Sequence, residues 1–227
     1  MYTLYIANKN YSSWSLRAWI LLREFGLPFK EHLMVFGEAA SWEAYKRISP
    51  AARVPCLVDG DQVVWDSLAI TEYLAERHRA LWPQDAKARA WARSAAAEMH
   101  SGFADLRNVC SMSCGVRVRL KAMPEALRRD IDRIGALWNE GLQRFGGPFL
   151  AGRAFTAADA FYAPVAFRVQ TYALKLDAAG AAYAEHLLQL KSMREWYESA
   201  LAERWRDSPH DADVLRFGSV LQDLRAT

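Results

Sequence analysis

Cysteine is scarce in this 227-residue sequence, and long apolar runs are missing from it. The three cysteines, Cys56, Cys110 and Cys114, are odd in number and too few for a disulfide framework, which favours a reducing compartment such as the cytoplasm. No stretch approaches the roughly 18 uninterrupted apolar residues that a membrane span needs. The first residues pass directly into a strand pattern, without a charged segment followed by a long apolar one. We therefore expect no signal peptide.

The sequence also lacks a polybasic run and a cluster of histidines and cysteines spaced as metal ligands. Its 29 Lys and Arg are interspersed with 26 Asp and Glu, and the net charge is only +3. This balance argues against a nucleic-acid partner and favours a solvated surface over a preference for anionic small molecules. We expect no bound metal and no membrane. With 52% hydrophobic residues, the chain can fill the cores of two modest domains.

Residues 1–79 alternate strand and helix patterns. A strand rich in β-formers is predicted at 3–7, and the apolar spacing of Leu16 and Ile20 predicts a helix that Gly26 stops. The other predicted elements are strands at 29–35, 54–58 and 62–65 and helices at 15–25, 42–48 and 66–79. The order βαβαββα combines a right-handed parallel crossover with an antiparallel hairpin. Such a mixed sheet is the thioredoxin-like arrangement.

Beyond a linker at 80–88 the strand pattern disappears. Helical periodicity is found in four segments, at 88–109, 125–145, 157–174 and 187–202. Gly and Pro at 146–148 separate the second helix from the third. The sequence therefore predicts an α/β, thioredoxin-like domain at 1–79 and an all-helical bundle at 89–227.

Three short motifs mark candidate functional positions. Pro55 opens a predicted strand, and because proline cannot donate to a ladder, we expect a cis bond that exposes the Val54 backbone to a ligand. Asp66 and Ser67 lie at a strand-to-helix junction, where free N–H groups can hold a carboxylate and the aspartate can accept from an ammonium group. A simple N-cap is the alternative there. Thr-Ala-Ala-Asp at 156–159 is a structural capping box.

In this order and spacing, the three motifs resemble those of the cytosolic glutathione transferases, and the resemblance covers nearly the whole chain. It implies that glutathione is the co-substrate. The Val54 backbone, before the cis Pro55, would pair with the cysteinyl part, and Asp66 and Ser67 would hold the γ-glutamyl head. The family more often has glutamate or glutamine where Asp66 stands. Arg53 is a candidate for the glycyl carboxylate, with a solvated arginine as the alternative.

The segment after the first strand carries the thiol chemistry. A free thiol with a pKa near 8.5 is mostly protonated at neutral pH, so a hydroxyl donor and a helix N-terminus must stabilise the thiolate. The segment Tyr-Ser-Ser-Trp-Ser-Leu-Arg resembles the Ser-Ser-Cys-Ser-x-Arg signature of zeta-class members, with Trp14 replacing the cysteine. On that match Ser12 is the activating serine. Ser13 and then Tyr11 are the alternative activating residues. The remaining alternative is that these serines only cap the helix.

The second-substrate pocket is expected in the helical half, with Arg107, Arg168 and Tyr172 as candidates. Arginines would suit the dianionic maleylacetoacetate that zeta-class members isomerise, although Thr171 stands where those members have an arginine. Aromatic residues would instead build an apolar pocket, and the candidates are Phe103, Phe161, Tyr162, Phe167 and Tyr172. A general conjugating transferase is therefore the first prediction, a zeta-like isomerase the second, and a non-catalytic glutathione-binding scaffold the third. The resemblance also implies a twofold homodimer.

Overall fold

The N-terminal half forms a four-stranded mixed sheet with helices. The computed structural model describes residues 1–36 and 41–226. The strands of this half are β1 Tyr2–Ile6, β2 Phe29–Leu33, β3 Cys56–Asp59 and β4 Gln62–Trp65, and its helices are α1 Ser13–Glu24, α2 Ser41–Ile48 and α3 Ser67–Arg77. The strand order is β2-β1-β3-β4, with β1 and β2 parallel and β3 antiparallel to both of its neighbours. The predicted thioredoxin-like fold is confirmed.

One edge of this sheet collects the candidate segments of the N-terminal half. Ile6 pairs with Leu33, while Cys56 pairs with Tyr5 on one side and Trp65 on the other. Strands β1, β2 and β4 therefore end, and β3 begins, at the same edge. The loops that follow β1 and β2, the segment before β3 and the start of α3 lie side by side there, separated by strand spacings of about 4.8 Å.

The C-terminal half is mainly helical, as predicted. A short 3-10 helix, Arg79–Leu81, lies within the connection, and the helices that follow are α4 Ala86–Ser101, α5 Ala104–Val109, α6 Glu125–Phe145, α7 Ala157–Tyr172, α8 Ala178–Leu188, α9 Lys191–Ala202 and α10 Ser208–Phe217. The helix predicted at 88–109 is in fact two, because Gly102 caps α4 with extended backbone and Phe103 takes a left-handed φ of 56°. The sequence pattern did not predict α8 or α10.

A small antiparallel sheet also belongs to this half, and the prediction of helices alone beyond residue 88 did not include it. Its two strands are β5 Val116–Leu120 and β6 Gly218–Asp223. Gly218 lies so close to β5 that a Cβ at this position would be 2.3 Å from Cγ1 of Val118. Through this pairing, the C-terminal segment returns to the centre of the molecule.

Contacts from the C-terminal half hold the loop after β1. Glu203 accepts the backbone N–H groups of Lys9 at 2.6 Å and Asn10 at 3.3 Å, and Trp196 donates its indole N–H to the Lys9 carbonyl at 2.9 Å. One hydrophobic core extends through both halves, and α1 packs against α7 and α9 within it. Across residues 1–36 and 41–226, no helix combines the length and the apolar character needed to cross a membrane.

Candidate functional site

A cavity of about 780 Å³ opens between the sheet edge and the helical half. It brings together ten of the eleven residues that the sequence singled out: Tyr11, Ser12, Ser13, Arg53, Val54, Pro55, Asp66, Ser67, Arg107 and Arg168. A volume of this size is typical of a small-molecule site. Residues from three segments of the N-terminal half and from α5 and α7 therefore share one site.

The two candidate serines lie at the start of α1 and are both nearly buried. Ser12 is the N-cap, and its hydroxyl donates to the Oγ of Ser15 at 2.7 Å and accepts the Ser15 N–H at 3.4 Å. The Oγ of Ser15 also accepts the backbone N–H of Ala7 at 3.1 Å. The Ser13 hydroxyl has no hydrogen-bond partner in the described part of the chain. Both hydroxyls border the cavity at the positive end of the α1 dipole.

Tyr11 borders the same cavity, but its hydroxyl is already occupied. It donates to Asp211 at 3.1 Å and accepts from Nη1 of Arg225 at 2.8 Å. Burial raises the pKa of Tyr11 to about 12, so the phenol stays protonated at neutral pH. Tyr11 therefore ties the site loop to the C-terminal segment and is a poorer thiol activator than either serine.

The segment before β3 presents free backbone groups to the cavity. The Val54–Pro55 bond is cis, as expected. Neither the amide nor the carbonyl of Val54 is hydrogen-bonded to another residue within the ranges described. An extended peptide could therefore pair with Val54 as an added strand. The neighbouring Arg53 side chain is exposed at the rim.

The junction of β4 and α3 combines a strained residue with free polar groups. Asp66 has φ 76°, unusual for a residue other than glycine, and its Oδ1 caps α3 by accepting the N–H groups of Leu68 at 2.8 Å and Ala69 at 3.4 Å. Its Oδ2 lies 3.5 Å from Nε2 of His100. The buried Ser67 hydroxyl has no partner among the described residues. Such strain is characteristic of ligand-binding positions, and the free hydroxyl at a helix N-terminus suits a carboxylate.

Three arginines lie within electrostatic range of one another, and we call them the arginine cluster: Arg107 and Arg168, which line the cavity from the helical half, and Arg17 of α1, which is buried and does not line it. Arg17 and Arg168 are 1% and 3% exposed, and none of the three forms an ion pair with a residue in the described ranges. The carboxylates of Asp66 and Asp130 attract Arg17 and Arg107, respectively, but neither is close enough to form an ion pair. Burial, reinforced by repulsion from the other two guanidinium groups, lowers the pKa of Arg17 to about 9. Burial likewise lowers the pKa of Arg168 to about 10.

Backbone carbonyls satisfy only part of the arginine cluster. Nε of Arg168 donates to the Cys110 carbonyl at 2.8 Å, and Arg107 donates to the Met99 carbonyl at 3.0 Å. Nη1 of Arg168 and both Nε and Nη1 of Arg17 are buried without a partner in the described chain. Unpaired buried charge is costly, so the cluster is prepared to bind an anion.

Tyr172 does not border the cavity, contrary to the prediction. Its hydroxyl donates to the Ser111 carbonyl at 2.9 Å, and the side chain is buried behind the cavity wall. The predicted aromatic pocket is also not formed, because every member of that set is a core residue: Phe103, Phe161, Tyr162, Phe167 and Tyr172. The cavity instead has other aromatic neighbours that the sequence analysis missed, namely Trp14, Phe36, Tyr45, Trp65 and His210.

All three cysteines are free and buried. Burial raises the pKa of Cys56 to about 11 and of Cys110 to about 12, so neither thiol ionises readily at neutral pH. Within residues 1–36 and 41–226, no group of His, Cys, Asp and Glu could hold a metal ion.

The fold and this site together define a two-domain protein with a thioredoxin-like half, a helical half and a cavity between them that offers free polar groups to a peptide-like ligand. Residues 11–77 match the family model for the glutathione S-transferase N-terminal domain. A zeta-class glutathione S-transferase from Euphorbia esula is 31% identical over 159 residues, which cover 67% of this chain and 70% of that protein. The chain belongs to the glutathione S-transferase family.

Two further similar proteins are matched over different shares of their length. A probable maleylacetoacetate isomerase from Caenorhabditis elegans is 37% identical over 108 residues, 47% of this chain, and the match spans only 50% of its length. A glutathione transferase homolog from Burkholderia, solved with bound glutathione, superimposes with a TM-score of 0.65 at 22% identity and covers 88% of this chain and 97% of its own. At that identity the likeness supports the fold alone.

Proposed function

We propose that the protein is a glutathione transferase, in which a serine hydroxyl at the start of α1 stabilises the thiolate of glutathione for addition to an electrophilic small molecule. The observation that carries this proposal is the convergence of three kinds of polar group on one cavity. These are a serine hydroxyl at a helix N-terminus, the unpaired backbone of Val54 and the unpaired hydroxyl of Ser67. A protein that only used the fold as a scaffold would have no need of this set.

Glutathione would lie along the sheet edge in an extended form. Its γ-glutamyl carboxylate would bind at the start of α3, where Ser67 offers a hydroxyl, and its ammonium group would meet Oδ2 of Asp66, the oxygen that does not cap α3. The cysteinyl residue would pair with the Val54 amide and carbonyl. This arrangement directs the sulfur toward the loop after β1, where Ser12 and Ser13 begin α1.

Ser12 can donate to the sulfur without losing its own support. Because hydroxyl protons rotate, the Ser12–Ser15 hydrogen bond can also form with Ser15 as the donor, which frees the Ser12 proton for a thiolate. The N–H of Ala7 holds the Ser15 oxygen in place in either arrangement. The thiol proton leaves to solvent, and the thiolate then forms the new C–S bond while the electrophile gives up a bond in exchange: the C–Cl bond of a chlorinated nitrobenzene, whose chlorine leaves as chloride, or a π bond, whose carbon takes a proton from solvent. Ser13, whose hydroxyl is free, is the second candidate.

A zeta-like isomerase is the second candidate function, and the arginine cluster favours it. Arg107 and Arg168, neither of which forms an ion pair with a described residue, line the space where the electrophile would lie, and Nη1 of Arg168 has no partner there. They would bind the carboxylates of a dianionic substrate such as maleylacetoacetate, the substrate in the name of the nematode relative. The thiolate would add to the cis double bond, the resulting single bond would rotate, and elimination would return glutathione unchanged with the trans product.

Binding and turnover with purified protein test the proposal. Retention on immobilised glutathione separates a glutathione user from an unrelated binding module. Turnover of a chlorinated nitrobenzene without turnover of maleylacetone supports the conjugating transferase, and the reverse supports the isomerase. Ser67→Ala should weaken retention, because it removes a donor to the γ-glutamyl head. Absence of any heat or thermal shift with millimolar glutathione would rule out both enzymes.

We also propose a twofold homodimer in a reducing compartment such as the cytoplasm. The three unpaired, buried cysteines are consistent with that compartment. Light scattering coupled to size exclusion measures the assembly directly. A monomer mass at micromolar protein concentration would contradict the dimer.

A further inference from the structure

The C-terminal segment contributes an imidazole to the cavity that the sequence analysis did not single out. His210, on α10, borders the same cavity as Ser12 and Val54. We infer that His210 binds the glycyl carboxylate of glutathione, so that the C-terminal segment completes the tripeptide site. This inference rests on the proposed use of glutathione and adds a specificity residue to it.

Two aromatic rings and a carboxylate fix the orientation of His210. The imidazole stacks on Tyr11 and on Phe36, with a centroid separation of 5.2 Å from each ring. Its Nδ1 is hydrogen-bonded to Oδ2 of the nearly buried Asp207. The proton on Nδ1 therefore faces Asp207, and Nε2 is the nitrogen left for a ligand. A protonated imidazole held in this way donates Nε2–H to a carboxylate.

The C-terminal segment holds His210 at the sheet edge. Asp211, the next residue, accepts from the Tyr11 hydroxyl at 3.1 Å and from Nη1 of Arg225 at 2.7 Å. Arg225 also donates to Tyr11 at 2.8 Å and pairs with Asp223 at the end of β6. These bonds tie α10 to the loop that carries the serines, so His210 is already in place before a ligand binds.

The strand order explains why the glycyl end arrives at His210. Strands β4 and β2 are the two outermost strands of the sheet. Asp66 follows β4, and Phe36, which stacks on His210, follows β2, so both lie at the same strand ends but on opposite sides of the sheet. Three strand spacings of about 4.8 Å give roughly 14 Å between these positions. Three extended residues span about 10–11 Å, and the γ-glutamyl linkage adds two further methylene groups. A tripeptide whose head lies at Asp66 therefore reaches the β2 side with its glycine.

Arg53 is the competing ligand for the same carboxylate. Its side chain is exposed at the rim, and no described residue fixes its position. Ordering a mobile arginine costs side-chain entropy, whereas the stacked and hydrogen-bonded imidazole has already lost that freedom. Asp213, exposed on α10, lines the cavity as well and provides a matched control on the same helix.

The test compares glutathione with its glycyl monoethyl ester, in which a neutral ethyl ester replaces the negatively charged carboxylate. Calorimetry with the full chain measures the Kd of both ligands for the wild type and for His210→Phe, His210→Gln, Arg53→Gln and Asp213→Asn. The phenylalanine keeps the ring stack, and the glutamine keeps a neutral donor, so a melting curve of each shows whether the fold survives. We expect the wild type to bind glutathione about tenfold more tightly than the ester, the effect of one charge-assisted hydrogen bond.

His210→Phe should lose this preference by weakening glutathione binding about tenfold while leaving the ester unchanged. His210→Gln should lie between the two, and Asp213→Asn should keep the wild-type preference. Equal weakening of both ligands in His210→Phe would indicate a merely structural role and overturn the inference. Loss of the preference in Arg53→Gln alone would assign the carboxylate to Arg53. A wild type that binds neither ligand would instead refute the proposed function itself.

Discussion

The hydroxyl of Ser12 should control the acidity of glutathione bound to this protein. In the proposed complex, its O–H donates to the thiolate and its oxygen accepts from Ser15, whose own Oγ is held by the Ala7 amide. Replacing Ser12 with alanine removes that donor, and with it the N-cap acceptor of the Ser15 N–H, while the Val54 backbone and the Ser67 hydroxyl stay in place. The thiol of bound glutathione should therefore become a weaker acid in Ser12→Ala.

The magnitude follows from one hydrogen bond to a charged sulfur. Hydrogen bonds to charged groups contribute about 1.5–3 kcal/mol, and one pKa unit corresponds to about 1.4 kcal/mol. The pKa of the bound thiol should therefore rise by about one to two units. The dipole of α1 contributes about 0.3–1 kcal/mol and is retained in the variant, so part of the acidification should survive.

The assay is the ultraviolet absorbance of the thiolate in the binary complex, titrated with pH, alongside the conjugation rate with a chlorinated nitrobenzene. Because the thiol is protonated below its pKa, the rate of Ser12→Ala at neutral pH should fall at least tenfold. At alkaline pH the bound thiol ionises in both proteins, so the rates should converge. Ser13→Ala is the matched control, and its titration should overlay that of the wild type.

Two results would refute this reasoning. An unchanged titration in Ser12→Ala with an alkaline shift in Ser13→Ala would transfer the role to Ser13. A rate that falls equally at every pH would show that Ser12 positions the tripeptide and does not stabilise its thiolate.

Further predictions concern the helical half. Arg168→Met should weaken turnover of an anionic electrophile at least tenfold while sparing a neutral one, and its melting temperature should change little, because relief of the repulsion offsets the lost bond to a carbonyl. Asp159→Ala should lower the free energy of unfolding by about 2–6 kcal/mol in chemical denaturation, since it leaves the buried N–H groups of Leu150 and Thr156 unpaired. Burial lowers the pKa of His100, so the unfolded chain binds its proton first as pH falls below about 6.5. Stability should decline over that range, and His100→Gln should flatten the decline, whereas an equal slope in both proteins would exclude His100 as the cause.

The sequence predicted the N-terminal half well because its signals are local. Helix α1 and hairpin β3–β4 are each specified by residues that are neighbours in the chain, and the topology then aligns their ends. Val54 and Ser67 thus meet at one sheet edge as a consequence of strand order. The periodicity of Glu125–Phe145 likewise predicted both ends of α6, which an αL glycine, Gly146, terminates.

Long-range pairing explains most of what the sequence did not predict. Val116–Leu120 alternates apolar and charged residues, which is a strand signal, but its partner Gly218–Asp223 lies at the far end of the chain and is almost entirely exposed. His210 joined the site only because that pairing returns α10 to the sheet edge. Tyr172 was misplaced for a related reason. Its place in a helical segment of the second half did not reveal that its hydroxyl would bond to the Ser111 carbonyl behind the wall.

The topology itself makes this sheet edge suitable for anions. Strands β1 and β4 end at the same edge, and helices α1 and α3 begin there, so two helix N-termini direct their partial positive charges into one cavity. Ser12 and Asp66 cap these helices. Arg107 and Arg168 add full positive charges from the helical side of the cavity. A thiolate, a γ-glutamyl carboxylate and an anionic electrophile would each therefore meet a separate positive group, so a substitution that weakens binding of one of them should leave the other two largely unaffected.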